Sequence, residues 1–113
     1  MMEKFVSLNQ NSQFRRLYRR GKNAVRPGLV FYAAPNRKFG FRLGITAGKK
    51  VGGAVQRNRA KRRLRALVRT YLPKLKPNTD LVIVARTRTV TVSFEKLEQD
   101  FVAACKMVGI LDD

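Results

Sequence analysis

A chain of 113 residues with 25 Lys and Arg, 7 Asp and Glu and no His carries a net charge of +18. Its length suits a single domain with one core, and its 44% apolar content is too high for a disordered basic tail. From residue 4 to residue 79 there is no acidic residue against 21 Lys and Arg. This argues against general-base hydrolysis or hard-metal chemistry there, since both need carboxylate or histidine.

The first element is a helix over residues 9–20, capped by Asn9, Asn11 or Ser12 and stopped by Gly21, with Phe14, Leu17 and Tyr18 on one face. Extended segments follow at 23–26, 28–34 and 41–47. Pro27 separates the first two, and Pro35-Asn36 reads as a turn. A long helix spans 53–71 and ends before Pro73. The run at 81–86, Leu-Val-Ile-Val-Ala-Arg, suits a strand covered on both faces. A last helix over 93–108 has Ser93 as N-cap, Gly109 as terminator and an apolar stripe of Phe94, Leu97, Phe101, Cys105 and Val108. The order is αβββαβα, an α+β sandwich in a single domain over 1–113 with an ordered core at about 8–109.

Cys105 stands alone, which leaves no disulfide framework or metal cluster, and its place on the stripe makes it a small buried hydrophobe. No apolar run approaches the ~20 residues that span a bilayer, and Met1-Met2-Glu3-Lys4-Phe5 lacks a signal-peptide core. A cytoplasmic nucleic-acid binder without membrane or small-molecule partner is the expectation.

The segment from Lys49 to Arg69 carries the chemistry. At about 100° per residue, Ala60, Leu64, Leu67 and Tyr71 face the core. Asn58, Arg62, Arg65 and Arg69 fall opposite, with Lys61 on the flank and Arg57 and Arg59 to either side. A solvated helix face mixes signs so that Glu pairs with Lys or Arg. Here every charge is positive, which fits a face that receives phosphates. Arginine predominates, suiting bidentate phosphate contacts and base stacking. Lys49 and Lys50 precede a helix N-terminus that itself favours anions, and Gly52 and Gly53 permit close approach of a phosphate backbone. The Gly-Lys-Ser/Thr ending of a nucleotide-triphosphate loop is missing.

Ala54-Val55-x-Arg57-Asn58-Arg59-x-Lys61-Arg62-x-x-Arg65, preceded by Lys49-Lys50, resembles the RNR motif of the bacterial ribonuclease P protein subunit. Phe14-x-x-x-Tyr18-x-x-Gly21, Val30-Phe31-Tyr32, Arg42-Leu43-Gly44 and the Leu-Val-Ile-Val-Ala-Arg run extend the resemblance from about residue 8 to 109. It implies the αβββαβα fold with a small mixed sheet and a left-handed crossover through the basic helix, against the usual right-handed rule. It also implies a protein that assists a catalytic RNA in removing the 5′ leader from precursor tRNA. In such an assembly magnesium belongs to the RNA–protein holoenzyme, and the protein alone binds no cofactor and supplies no catalytic residue.

Two surfaces follow from the resemblance. Lys49, Lys50, Arg57, Asn58, Arg59, Lys61, Arg62, Arg65 and Arg69 would meet the catalytic RNA, with neutral Asn58 making directed hydrogen bonds. Phe14, Arg15, Tyr18, Tyr32 and Arg42 would form the cleft for the single-stranded leader, with Arg19 also tracking phosphates. Periodicity alone reads Phe14 and Tyr18 as core, and strand alternation leaves the face of Tyr32 open. A structural RNA-binding protein fits charge and size but not the Arg-Asn-Arg context. A DNA-binding module would present base-reading side chains at one helix end and dimerise.

Overall fold

The structure, a computed structural model, describes residues 5–112. The signal-peptide reading rests mostly on residues 1–4 and lies outside them, as do the extreme ends of the 1–113 domain. In chain order the elements are β1 (Val6–Ser7), α1 (Asn11–Arg20), β2 (Lys22–Arg26), β3 (Leu29–Pro35), β4 (Arg42–Thr46), α2 (Ala54–Tyr71), β5 (Thr79–Ala85), α3 (Thr87–Thr91) and α4 (Phe94–Met107). Short 3-10 turns lie at Lys49–Val51 and Leu72–Lys74. The expected αβββαβα series is present, with the two-residue β1 and the five-residue α3 added.

Three local readings are corrected. The N-cap of α1 is Gln10, not Asn9, Asn11 or Ser12. The Gln13 side chain turns back and its Oε1 accepts the N–H of Asn9 at 3.3 Å and of Gln10 at 3.2 Å. Pro35 is the last residue of β3, not part of a turn. It pairs with Thr79 beyond the end of β2, where its missing N–H breaks no ladder bond. Phe94 opens the stripe of α4 but is 43% exposed, and its ring lies 5.6 Å from the Arg63 guanidinium carbon.

The five strands form one mixed sheet in the order β1-β4-β5-β3-β2. β4 runs parallel to β1 and β5, and the other pairs are antiparallel. A parallel neighbour needs a crossover connection, and α2 supplies it between β4 and β5. Alternation along the strands then feeds two cores. Leu29, Phe31, Ala33, Leu43, Leu81 and Ile83 meet Ala60, Leu64, Leu67 and Val68 of α2 and Leu97, Phe101, Ala104 and Cys105 of α4. The Phe31 and Phe101 rings touch edge to face at 5.4 Å. On the other face Val82 packs with Leu8 and Leu17 beneath α1, ringed by Phe14, Tyr32, Ala34 and Val84. The layers are α1, sheet, and α2 with α4. β5 is therefore covered on both sides, as its apolar run requires.

Cys105 is fully buried, and desolvation pushes its thiol up to about 12, so it packs as the expected small hydrophobe. Asp100 of α4 is buried and reaches the β2–β3 turn. It accepts the Gly28 N–H at 2.9 Å and Arg26 Nε–H at 3.2 Å. The Thr89 hydroxyl donates to the Gly28 carbonyl.

Candidate nucleic-acid interface

The basic helix behaves as its spacing requires. Ala60, Leu64, Leu67 and Val68 are buried, and Asn58, Arg59, Arg62, Arg65 and Arg69 are exposed, with Arg57 and Lys61 half-buried beside them. Among the described residues, none of Arg57, Arg59, Lys61, Arg62 and Arg65 has a carboxylate partner. Arg69 leans over the Phe5 ring at 6.0 Å.

Arg63 belongs to a different structure. It stands three residues after Ala60 and four before Leu67, at the edge of the apolar stripe. Its Nη1 donates to the carbonyls of Thr89 at 2.9 Å and Val90 at 3.0 Å, and its Nη2 to that of Val92 at 2.9 Å. Those are among the unsatisfied C-terminal carbonyls of α3 and the residues after it, and a cation is the suitable cap for them. Desolvation first, and then the neighbouring Arg59 charge, lower the Arg63 pKa.

At the start of α2 the N-cap Gly53 offers no side-chain acceptor, and the first turn has no acidic residue. Its amide groups are left for an outside anion, beside exposed Lys49 and Lys50. Gly52 has its own reason to be glycine. Its φ of +138° is a conformation side chains rarely adopt, and a Cβ would sit 2.9 Å from that of Gln56.

The aromatic surface is assembled on the opposite layer. Strand alternation places Tyr32 on the α1 face, where its ring meets Tyr18 edge to face at 4.9 Å. Phe14 lies 6.5 Å from Tyr18 and rests directly on Gly44, where a Cβ would approach its ring to 2.7 Å. A hollow of about 380 Å³ opens here, lined by Asn11, Phe14, Arg15, Tyr18 and Thr46, and an adjoining one of about 510 Å³ adds Ser12 and Arg19. Tyr18 is 43% exposed and presents part of its ring to solvent. Asn11, Thr46 and the glycine floor at position 44 are cleft features that periodicity could not indicate.

Arg42 lies apart from that hollow and is not an unpaired cation. Its Nε and Nη2 donate to the two oxygens of Asp80 at 2.7 and 2.8 Å, and this bond raises its pKa. Desolvation pushes the Asp80 carboxyl up, but bonds from Arg42 and Asn36, with the charges of Arg42 and Arg16, hold it below its ordinary value. The acid-free stretch is thus partly neutralised from outside, at Arg42 by Asp80 and at Arg26 by Asp100.

The two surfaces adjoin. Lys49 follows the cleft residue Thr46 by three positions, so at most about 10 Å of backbone separates them. Among the described residues, most of the exposed arginines face no carboxylate, and bound anions relieve such self-repulsion. Replacing chloride by sulfate at constant ionic strength is expected to raise the melting temperature clearly. Identical melting curves would contradict this account of the charge.

A positively charged helix beside an aromatic hollow, on a five-stranded mixed sheet, places the chain among α+β domains with a surface suited to a polyanion. Residues 2–109 match the Ribonuclease P family model. The ribonuclease P protein component of Desulforamulus reducens is 42% identical over 87% of this chain and 87% of its own. That of Syntrophomonas wolfei is 36% identical over 97% and 92%. The Staphylococcus aureus RNase P protein structure superposes with a TM-score of 0.85 at 25% identity, covering 96% of this chain and 100% of that one. The chain belongs to the ribonuclease P protein family.

Proposed function

We propose that this chain acts with a catalytic RNA in a cytoplasmic ribonuclease P holoenzyme that removes the 5′ leader from precursor tRNA. The observation that carries the reading is the adjacency of the two surfaces within this family's fold: the Phe14–Tyr18 hollow, which Tyr32 backs through its contact with Tyr18 without lining it, ends at Thr46, and the cationic turn and helix begin at Lys49. The hollow suits unpaired nucleotides, because aromatic faces stack on bases with little sequence preference. Arg15 and Arg19 supply phosphate contacts at its rim. The α2 face, through Arg57, Asn58, Arg59, Lys61, Arg62 and Arg65, suits the backbone of a structured RNA, with Arg69 at its far end.

The chain's own groups do not suit magnesium. That ion takes oxygen ligands, and among the described residues no group of three or more His, Cys, Asp or Glu comes together. Asp80 and Asp100 are engaged by arginines and a backbone amide. This reading assigns the metal to the RNA and the positioning of RNA to the protein. Among the described residues no helix is long and apolar enough to cross a membrane.

Precursor-tRNA cleavage by a bacterial ribonuclease P RNA at low magnesium, with and without the chain, tests the proposal. Protein-dependent release of the 5′ leader is expected. Tight RNA binding without stimulation would assign the chain to structural RNA binding instead.

A further inference from the structure

Helix α1 crosses its face of the sheet and divides it. On the Thr46 side lies the hollow already described. On the other side a groove of about 630 Å³ runs between α1 and the β3–β4 turn, with Arg16, Arg20, Arg37, Phe39, Arg42 and Asp80 among its lining. The turn is held firmly. Asn36 Nδ2 donates to the Gly40 carbonyl at 2.9 Å and to Asp80 at 2.8 Å, and the Phe39 N–H donates to Asn36 Oδ1 at 3.0 Å. The Gly40 N–H donates to Asn78 Oδ1 at 3.0 Å, and the Asn36 N–H to the Asn78 carbonyl at 2.8 Å.

What this network presents is Phe39, 60% exposed. Its ring lies 4.7 Å from the guanidinium carbon of Arg42, which Asp80 fixes in turn through two hydrogen bonds. A single exposed apolar residue is ordinary. An exposed aromatic ring held over a clamped arginine, on a turn tied to a distant loop, is a preorganised platform with free ring surface. The charge around it favours an anion. Four arginines face one carboxylate, which Arg42 already occupies. Arg16 and Arg20 stand one turn apart on α1, where like charges repel unless something anionic intervenes.

We propose that this groove is a second single-stranded RNA site. An unpaired base stacks on Phe39, and its flanking phosphates sit on Arg16, Arg20 and Arg37. The chemistry is that of sequence-tolerant single-strand binding, with arginine forks for the phosphates. Two sources supply such a segment: distal leader nucleotides that have crossed α1, or an unpaired stretch of the catalytic RNA. The inference rests on the holoenzyme reading above and adds a site to it.

The test compares the native chain with Phe39→Ala and Phe39→Trp in the reconstituted holoenzyme, on precursor tRNAs with leaders of about 3 and about 12 nucleotides. At a rise of about 3.4 Å per nucleotide, that difference spans roughly the molecule's 30 Å width. Phe39→Ala is expected to weaken binding about tenfold, the scale of one lost base–aromatic stack, while Phe39→Trp retains it and both variants melt with the native chain. Loss confined to the long leader identifies the leader as occupant. Equal loss on both leaders, with weaker assembly on the catalytic RNA, identifies that RNA. Native-like behaviour of Phe39→Ala in both assays overturns the site. If the native chain itself fails to stimulate cleavage, the holoenzyme reading falls. Binding of a labelled single-stranded oligoribonucleotide to the free chain then decides the groove separately, with undiminished affinity in Phe39→Ala counting against it.

Discussion

Replacing Arg63 with alanine should cost about 2–3 kcal/mol of stability, whereas the same change at Arg62 should cost almost none. Arg63 donates to three carbonyls just beyond and within the last turn of α3. Charge-assisted bonds of that kind are individually worth about 1.5–3 kcal/mol, and part of the loss is offset by removing repulsion from Arg59. For a domain this size the melting temperature should fall by about 10–20 °C. Arg62 is exposed and has no carboxylate partner among the described residues. Arg62→Ala should instead weaken association with the catalytic RNA about five- to tenfold and lower the salt slope by about one phosphate contact. Melting curves and salt-titrated RNA binding on both variants decide the matter. A stability loss at Arg62 equal to that at Arg63 would contradict the assignment of one arginine to the fold and its neighbour to RNA.

The second large effect concerns the leader. Phe14→Ala removes one stacking face, worth about 1–3 kcal/mol, so affinity for leader-bearing precursor should drop about fivefold to a hundredfold while leaderless tRNA is little affected. Because Phe14 also packs around the Leu17 and Val82 cluster, the informative quantity is the ratio between the two substrates, not either affinity alone. Gly44→Ala offers a check that keeps the ring. A methyl there meets the far edge of Phe14 and should tilt the ring out of place, lowering the same ratio. Equal losses on both substrates would remove the aromatic hollow from leader recognition.

Most of the architecture can be read from local patterns, because the seven expected elements carry their own periodicity or boundary residues. The two-residue β1 and the polar α3 do not. Val6-Ser7 is too short to show alternation, and Thr87–Thr91 has no apolar stripe, so only tertiary contacts define them. The same limit applies to charge. The basic stripe of α2 is visible in spacing, yet the fate of particular arginines depends on partners far along the chain. Arg42 meets Asp80 and Arg26 meets Asp100, separations of 38 and 74 residues. Arg63 is passed over in the sequence, although its place between Ala60 and Leu67, at the edge of the apolar stripe, sets it apart from Arg62 and Arg65. The face of Tyr32 became definite only once Val82 and α1 were in place.

The position of β5 bears on how the chain acquires its shape. The last strand along the chain lies in the middle of the sheet, between β4 and β3. Until residues 79–85 leave the ribosome, β3 and β4 have no neighbour to share, and the acidic groups that will clamp Arg42 and Arg26 have not been made. During synthesis the emerging chain is therefore an open, almost purely cationic polymer in a compartment full of RNA. Pairings over such long separations form slowly. Insertion of a single central strand, which brings Asp80 with it, thus marks the passage from an unneutralised polycation to a closed sheet.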